Sequence, residues 1–276
     1  MQNGAGVVGH YRRPKLGEAI LEALRQAGKL FETLVPEDLV PVDEFHIRGR
    51  VATAELAALA ELGKGMRVLD VGCGLGGPSR YLASTIGCRV TGLDLIAEYC
   101  GVAAQLAALT GLTDLVDYRQ GDALQLPFPD LSFDVVWTQH ASMNIADKPR
   151  LLGEAYRVLR PGGRLVVHDV TAGSGGDVHL PVPWAREPSS SFLVSSTELR
   201  EAAQQQGFRV VLWQDVTAPA LQWFEKTLAG MRGGEPRPLG LHLLLEPDTK
   251  AMFLNMGRNL AEDRIGVVQG LLERPE

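Results

Sequence analysis

The run Asp70-Val71-Gly72-Cys73-Gly74-Leu75-Gly76-Gly77 closes an apolar stretch with an acid and then glycines. Glycine lets a chain turn sharply and bring its backbone against a ligand. A helix that starts there presents free N–H groups at its positive end. Strand, glycine turn and helix in that order make a nucleotide-type cofactor site at the carboxyl edge of a parallel sheet. Gly72, Gly74 and Gly77 also fit a dinucleotide G-x-G-x-x-G pattern, so two cofactor classes compete. Asp70 leans the choice. A carboxylate just before the turn repels a pyrophosphate and attracts the amino group of a methionine moiety.

Two more acids follow at strand ends. Asp94, in Gly92-Leu93-Asp94-Leu95, suits two adjacent ribose hydroxyls that donate to it; its alternative is a cap for the helix from Ala97. Asp122, in Gly121-Asp122-Ala123, suits an adenine amino group, or else a cap or turn. His140 lies just past a strongly apolar strand, facing the expected substrate side. Histidine titrates near neutral pH, which makes it the first candidate base; the alternative is that it orders its loop. Met143 and Asn144 follow as pocket residues. His168 and Asp169, taken with His140, raise the question of a metal. Magnesium sites of catechol-type enzymes use acidic and amide oxygens, which this sequence does not array, so no metal is expected. Cys73 is read as a small residue filling the turn rather than as a reactive thiol.

The elements that must position these residues alternate. Strands are expected at Arg67–Val71, Arg89–Leu95, Val116–Gly121, Phe133–Gln139 and Arg164–Val170. Helices are expected at Gly77–Ile86, Ala97–Leu109 and Lys148–Leu159, the last stopped by Pro161-Gly162-Gly163. This alternation predicts a doubly wound α/β fold with a mostly parallel, seven-stranded sheet. Upstream, Leu16–Leu34 has helical spacing broken by Pro36 and Pro41, and Val51–Leu62 is a second helix. Downstream, 172–191 is a Gly-, Pro- and Ser-rich loop. Thr197–Gln206 is a helix capped by Ser196 or Thr197, and Phe208–Val216 is a strand. Helices at Ala218–Met231 and Asp248–Leu260, separated by the breaker-rich Gly233–Gly240, precede a last strand at Ile265–Leu272. The expected organisation is an N-terminal helical segment and cofactor cover (1–65), a core (66–217), a helical lid (218–264) and a final core strand (265–276). The lid reads equally as a substrate cover and as a packing appendage. Trp184 and Trp223 come from the cover, so they pack it or contact a cationic substrate; Trp213 is read as packing.

The 276 residues are 45% hydrophobic and 22% charged, enough for a real core, and carry a net charge of −6. That charge argues against a general nucleic-acid binder. Three cysteines without metal-ligand spacing, no signal-peptide core and no run of the roughly 20 apolar residues that span a bilayer lead us to expect a cytoplasmic protein without a membrane span. A homodimer is compatible with the sequence.

In these residues the chain resembles the class I S-adenosylmethionine (SAM)-dependent methyltransferases. VLDVGCGLGG is similar to their first SAM-binding motif; GLDL, GDALQLPFPDLSFDVVW and VLRPGGRLVVHDV resemble the later ones, in order, over about residues 66–170. The resemblance runs to the small-molecule group of ubiquinone and tocopherol C-methyltransferases and of sarcosine and dimethylglycine N-methyltransferases. Trp137-Thr138-Gln139-His140-Ala141-Ser142-Met143-Asn144-Ile145 is most similar to the last of these. It implies SAM as cofactor and S-adenosylhomocysteine (SAH) as product. Gly72, Cys73, Gly74 and Gly77 would border SAM, with Asp70 near its amino group and Asp94 on the ribose. Leu95 would pack on the adenine, Asp122 would face its amine beside Ala123 and Leu124, and Gln139 would contact the methionine end through its backbone. Asp43-Glu44-Phe45-His46-Ile47-Arg48-Gly49-Arg50 resembles the segment that closes over the cofactor. Arg48 or Arg50 would pair with the SAM carboxylate, unless solvated at the surface. His46 would lie near the pocket, and His46, His140, Met143, Asn144 and Trp184 are the expected substrate contacts.

The leading expectation is therefore an enzyme that methylates a small molecule at N, O or C by in-line displacement, with His140 as base or as a positioning group. A nicotinamide-dependent oxidoreductase is the alternative, and would need a tyrosine–lysine pair or a similar proton relay, which is not expected here. A non-catalytic SAM-binding module is the third reading; the intact cofactor positions and the pocket histidine count against it. A protein or RNA methyltransferase is the fourth, but no Asn-Pro-Pro-Tyr motif is present.

Overall fold

A computed structural model describes residues 3–231 and 237–276. The part of Gly233–Gly240 before residue 237 lies outside the described residues. Four helices come first: α1 (Asn3–Tyr11), α2 (Leu16–Gln26), α3 (Pro36–Asp43) and α4 (Gly49–Leu59). Then β1 (Arg67–Val71), α5 (Gly77–Tyr81, continued by a π-turn over Leu82–Ile86), β2 (Arg89–Asp94), α6 (Ala97–Leu109), β3 (Val116–Gln120) and β4 (Phe133–Gln139) alternate. α7 (Lys148–Val158), β5 (Leu159–Ala172), α8 (Ser196–Gln205) and β6 (Arg209–Asp215) follow. α9 (Thr217–Met231), α10 (His242–Leu245) and α11 (Thr249–Ala261) lie between β6 and the last strand, β7 (Ile265–Glu273).

The seven strands form one sheet in the order β3-β2-β1-β4-β5-β7-β6. All neighbours are parallel except β7, which runs antiparallel to β5 and β6. The inner strands are apolar on both faces, as parallel strands covered by helices must be. Along β1, Leu69 and Val71 join Val136, Val167 and the α7 residues Leu151 and Ala155 on one face. Val68 faces the other way, onto α4 and the α5–π segment through Leu56, Ala57 and Leu82. Each such side chain, fully buried, stabilises the fold by roughly 1.5–3 kcal/mol. A third cluster joins α2 and α3 to the cover, with Leu24, Leu39, Trp184, Phe224, Phe253 and Met256 among its members. β1, β2 and β4 all end at the same sheet edge, and that edge carries the site.

Four local expectations are corrected. Pro36 does not break a helix; it begins α3, where its missing N–H has no helical partner to lose, and Pro41 sits inside that helix two residues before its end. α1 precedes the first expected helix, its pattern masked by Gly4, Gly6 and Gly9. α8 is capped by Ser195 rather than Ser196 or Thr197: Glu198 N–H donates to Ser195 Oγ at 3.2 Å, and Ser195 N–H donates to Glu198 Oε2 at 2.8 Å. β5 takes in Pro161-Gly162-Gly163 because the chain end pairs with it: Gly162 N–H donates to Arg274 O and Arg274 N–H to Gly163 O, both at 2.8 Å. β5 also runs on to Ala172, so His168 and Asp169, near the end of the expected strand, lie within it.

Candidate active site

A cavity of about 800 Å³ opens at the carboxyl edge of β1, β2 and β4. That is within the range of sites for cofactor-sized ligands. Gly72, Cys73 and Gly74 form one wall. Gly72 has φ +77°, and a Cβ there would lie 2.6 Å from Ala141 Cβ. The loop after β4 thus presses directly on the glycine turn, and only glycine fits.

Asp70 is buried beneath the turn and accepts a 2.6 Å hydrogen bond from Ser79 Oγ. Burial raises its pKa to about 7, against the smaller lowering effect of Ser79. A ligand cation placed here would restore its charge. Asp94 is fixed from both sides: Gly74 N–H donates to Oδ2 and Ile96 N–H to Oδ1, each at 2.9 Å. Burial still raises its pKa, ahead of these hydrogen bonds. A carboxylate oxygen accepts more than one donor, so both oxygens keep capacity for a diol. The helix cap proposed as the alternative for Asp94 falls to Ile96. Asp122 lies two residues beyond β3; Leu124 N–H donates to its Oδ1 at 2.8 Å. Leu95, Asp122, Ala123, Leu124 and Gln139 all line the same cavity.

Other expected contacts are placed differently. Arg50 does not line the cavity. It pairs with the buried carboxylate of Glu44 and lies 4.9 Å from the Tyr81 ring centroid. A buried acid without a cation is costly, so Glu44 claims the guanidinium. Arg48 pairs with Glu55 at 2.6 Å. Gly77 does not line the cavity either: a Cβ there would meet Asp43 O at 2.3 Å, so it is glycine because the α3 end packs on it. Asn144 lines the cavity, but its amide is in use. It accepts from Tyr11 Oη at 2.8 Å and donates to Trp184 O at 2.8 Å and Ser190 O at 2.9 Å. A Tyr-x-x-x-Lys spacing does occur, at Tyr11 and Lys15, but Tyr11 Oη is bound to Asn144 and Lys15 is exposed.

A small annex of about 60 Å³ adjoins the cavity and shares Tyr11, Phe45, His46 and His140 with it. Met143, Trp184, Trp223, Phe224, Phe253 and Met256 complete most of its wall. No Lys, Arg, Asp or Glu among the described residues lines it. Trp184 is buried, and its Nε1–H donates to Ser191 Oγ at 2.9 Å. Lys148 is held behind this region, donating to the carbonyls of Ser142, Ile145 and Phe192; burial lowers its pKa to about 8.

His46, His140 and His168 cluster at the join. The His140 and His168 rings stack at 4.9 Å, and His46 stands nearly perpendicular to both at 6.0 Å. Burial lowers all three pKa values, to about 4 for His46 and about 3 for His168. All three rings are neutral at pH 7. His140 has φ +51°, a left-handed conformation that costs a non-glycine residue about 1–3 kcal/mol. No group of three or more His, Cys, Asp or Glu side chains among the described residues is arranged to hold a metal.

Sequence reasoning missed Tyr11 and Thr53, and named Glu44, Phe45 and Ile47 only as part of the segment over the cofactor. Tyr11 and Phe45 gave only weak signals, being aromatics in short helical or irregular segments. Ile47 acts through its backbone, which leaves no trace in residue type.

Residues 69–167 match the family described as methyltransferase domain. The chain is similar to the O-methyltransferase resE of Aspergillus sclerotiorum, 30% identical over 189 residues, which are 66% of this chain and 70% of that protein. It is similar to a probable chloroplastic tocopherol O-methyltransferase of Oryza sativa subsp. japonica, 43% identical over 100 residues, 36% of this chain and 28% of that one. The matched part thus spans less than half the length of the first curated relatives. Among solved structures, the [4+2]-cyclase SpnF has the same fold, with a TM-score of 0.66, 24% identity and 95% of both chains covered.

Proposed function

The chain belongs to the class I SAM-dependent methyltransferases, and from that premise we propose that it transfers the SAM methyl group to a neutral, largely apolar small molecule. One observation carries this reading: a single cavity has two chemically different ends. One end offers carboxylates and glycine backbone; the other offers aromatic and aliphatic side chains, with no Lys, Arg, Asp or Glu among the described residues.

The polar end fits SAM. Asp70 would hold the amino group, Gly72 and Gly74 leave room for the methionine chain, Asp94 would take the ribose hydroxyls, and Asp122 and Leu95 would bracket the adenine. Bound SAM supplies a methyl group made electrophilic by its sulfonium. The protein's own residues then exclude water and hold the acceptor close and in line, which lowers the barrier most in such displacements. Tyr11, Phe45, His46 and His140, shared by the two chambers, mark where the acceptor's reacting atom would sit. The apolar annex favours phenols, quinols or terpenoid alcohols over amino acids, whose carboxylate would find no cation among the described lining residues. Among the described residues no helix is long and apolar enough to cross a membrane. The three cysteines are buried and free, which supports a reducing compartment such as the cytoplasm.

The test is SAH release from SAM with a panel of phenols, quinols, terpenoid alcohols, amines and amino acids, checked by the mass of the product. Release with neutral apolar acceptors, and little with amino acids, is expected. Firm SAM binding without transfer to any acceptor would contradict the proposal. It would point to another reaction on this fold, which the similar [4+2]-cyclase shows to be accessible.

A further inference from the structure

His46 Nε2 lies 3.0 Å from the Gly49 carbonyl oxygen, 3.0 Å from Thr53 Oγ1 and 3.3 Å from Glu44 Oε2. A carbonyl oxygen only accepts, so Nε2 carries the ring proton and Nδ1 keeps the lone pair. Among the described residues Nδ1 has no hydrogen-bond partner, and it is not among the sealed, unpartnered nitrogens, which include His140 Nε2 and His168 Nδ1. His46 lines both chambers, and Nδ1 is its ring nitrogen left unsealed, so it is the one that an acceptor lying between them would reach.

His140 is arranged the other way. Ile47 N–H donates to His140 Nδ1 at 3.3 Å. That uses the ring's lone pair and leaves the proton on Nε2, which is buried. His168 Nε2–H donates to the carbonyl of the same residue, Ile47, at 3.1 Å. The backbone of Ile47 therefore meets both rings: its N–H takes up the His140 lone pair and its carbonyl faces His168 Nε2, while the remaining nitrogen of each ring is sealed from the cavity.

Resting on the methyltransferase reading above, we propose that His46, not His140, is the general base, and that the acceptor is a hydroxyl. As the acceptor oxygen bonds the methyl carbon, the S–CH₃ bond breaks with its electron pair left on sulfur, and the O–H proton passes to His46 Nδ1. The imidazolium so formed keeps its Nε2–H on Gly49 O and beside the Glu44 carboxylate. Glu44 is held in turn by Arg50 and by Thr53 Oγ1 at 2.9 Å. This is the base-plus-orienting-acid arrangement of general-base catalysis. The proton leaves to water when product departs. His140 is a positioning residue.

Two readouts test this. In the ligand-free protein, nitrogen-15 spectra of the histidine rings should show both His46 and His140 protonated at Nε2. The unprotonated nitrogen should be free in His46 and hydrogen-bonded in His140; the reverse would overturn the proposal. In turnover with a phenol, His46→Asn keeps an acceptor atom near the Nδ1 position but no base. It should lose about 10²–10⁴-fold in kcat with SAM affinity retained. His140→Gln, which keeps a donor near Nε2, should lose far less. A His46→Asn enzyme that turns over like wild type, or a His140→Gln enzyme that loses more, would overturn the proposal and leave the methyltransferase reading intact. A wild type that binds SAM but releases no SAH with any acceptor would overturn both.

Discussion

At the cofactor end of the cavity the walls are short consecutive runs: the turn after β1, the end of β2 and the segment after β3. At the acceptor end the walls come from α1, the 43–50 segment, the loop after β4, the stretch around Trp184 and the helices of the cover. The first end is shaped by backbone geometry and fixed carboxylates. The second is shaped by packing. Damage to the first should therefore cost ligand affinity, and damage to the second should cost stability together with acceptor binding.

The largest effect should come at the acceptor end. Trp184→Ala empties a buried site and should destabilise the fold by about 3–5 kcal/mol in denaturant unfolding. SAM affinity of the remaining folded protein should change little. A stable Trp184→Ala protein would mean the annex is not held by packing. Next, Gly72→Ala forces a Cβ onto Ala141 at a positive φ. The strain of about 1–3 kcal/mol predicts a loss of roughly 10–100-fold in SAM affinity. An unchanged dissociation constant would show that the turn can relax.

A smaller effect concerns pH. Asp70 has its pKa raised to about 7, while in the unfolded chain it titrates near the ordinary 3.8. Between these values the native state binds the extra proton, so the Asp70 contribution to stability falls as pH rises through that window. SAM affinity should move the opposite way. It should weaken by up to about tenfold per pH unit below 7 as the carboxyl becomes neutral. Asp70→Asn should abolish this dependence and raise the melting temperature at pH 7.5 or above. If the pH dependence survives in Asp70→Asn, another group sets it. The smallest effect is expected for Arg50→Gln. Because Arg50 is bound to Glu44 and does not line the cavity, SAM affinity should fall by less than the roughly 1.5–3 kcal/mol that a lost charged hydrogen bond would cost. A loss of that full size would restore the expectation that Arg50 holds the SAM carboxylate.

The same contrast explains what the sequence made legible. Asp70, Gly72, Gly74, Asp94 and Asp122 stand within two residues of a glycine near strand ends, where residue type and local pattern suffice to locate them. The sheet was legible too, because each inner strand is an uninterrupted apolar run. Arg50 and Gly77 were misplaced because each answers to a distant partner, Glu44 and Asp43, and pairing between segments leaves no local pattern. His140 stood out as a histidine after a strand, yet its chemistry depends on which nitrogen Ile47 N–H occupies. His46 was legible as a substrate contact, but its role as base rests on the Gly49 carbonyl that holds its Nε2–H, which residue type does not show.

The central claim is that the polar end of this cavity is a SAM site. Calorimetric titration of the wild-type protein with SAM, SAH, NAD and NADP tests it most directly. The account predicts stoichiometric binding of SAM and SAH and none of NAD or NADP. Binding of NAD or NADP without SAM would contradict it.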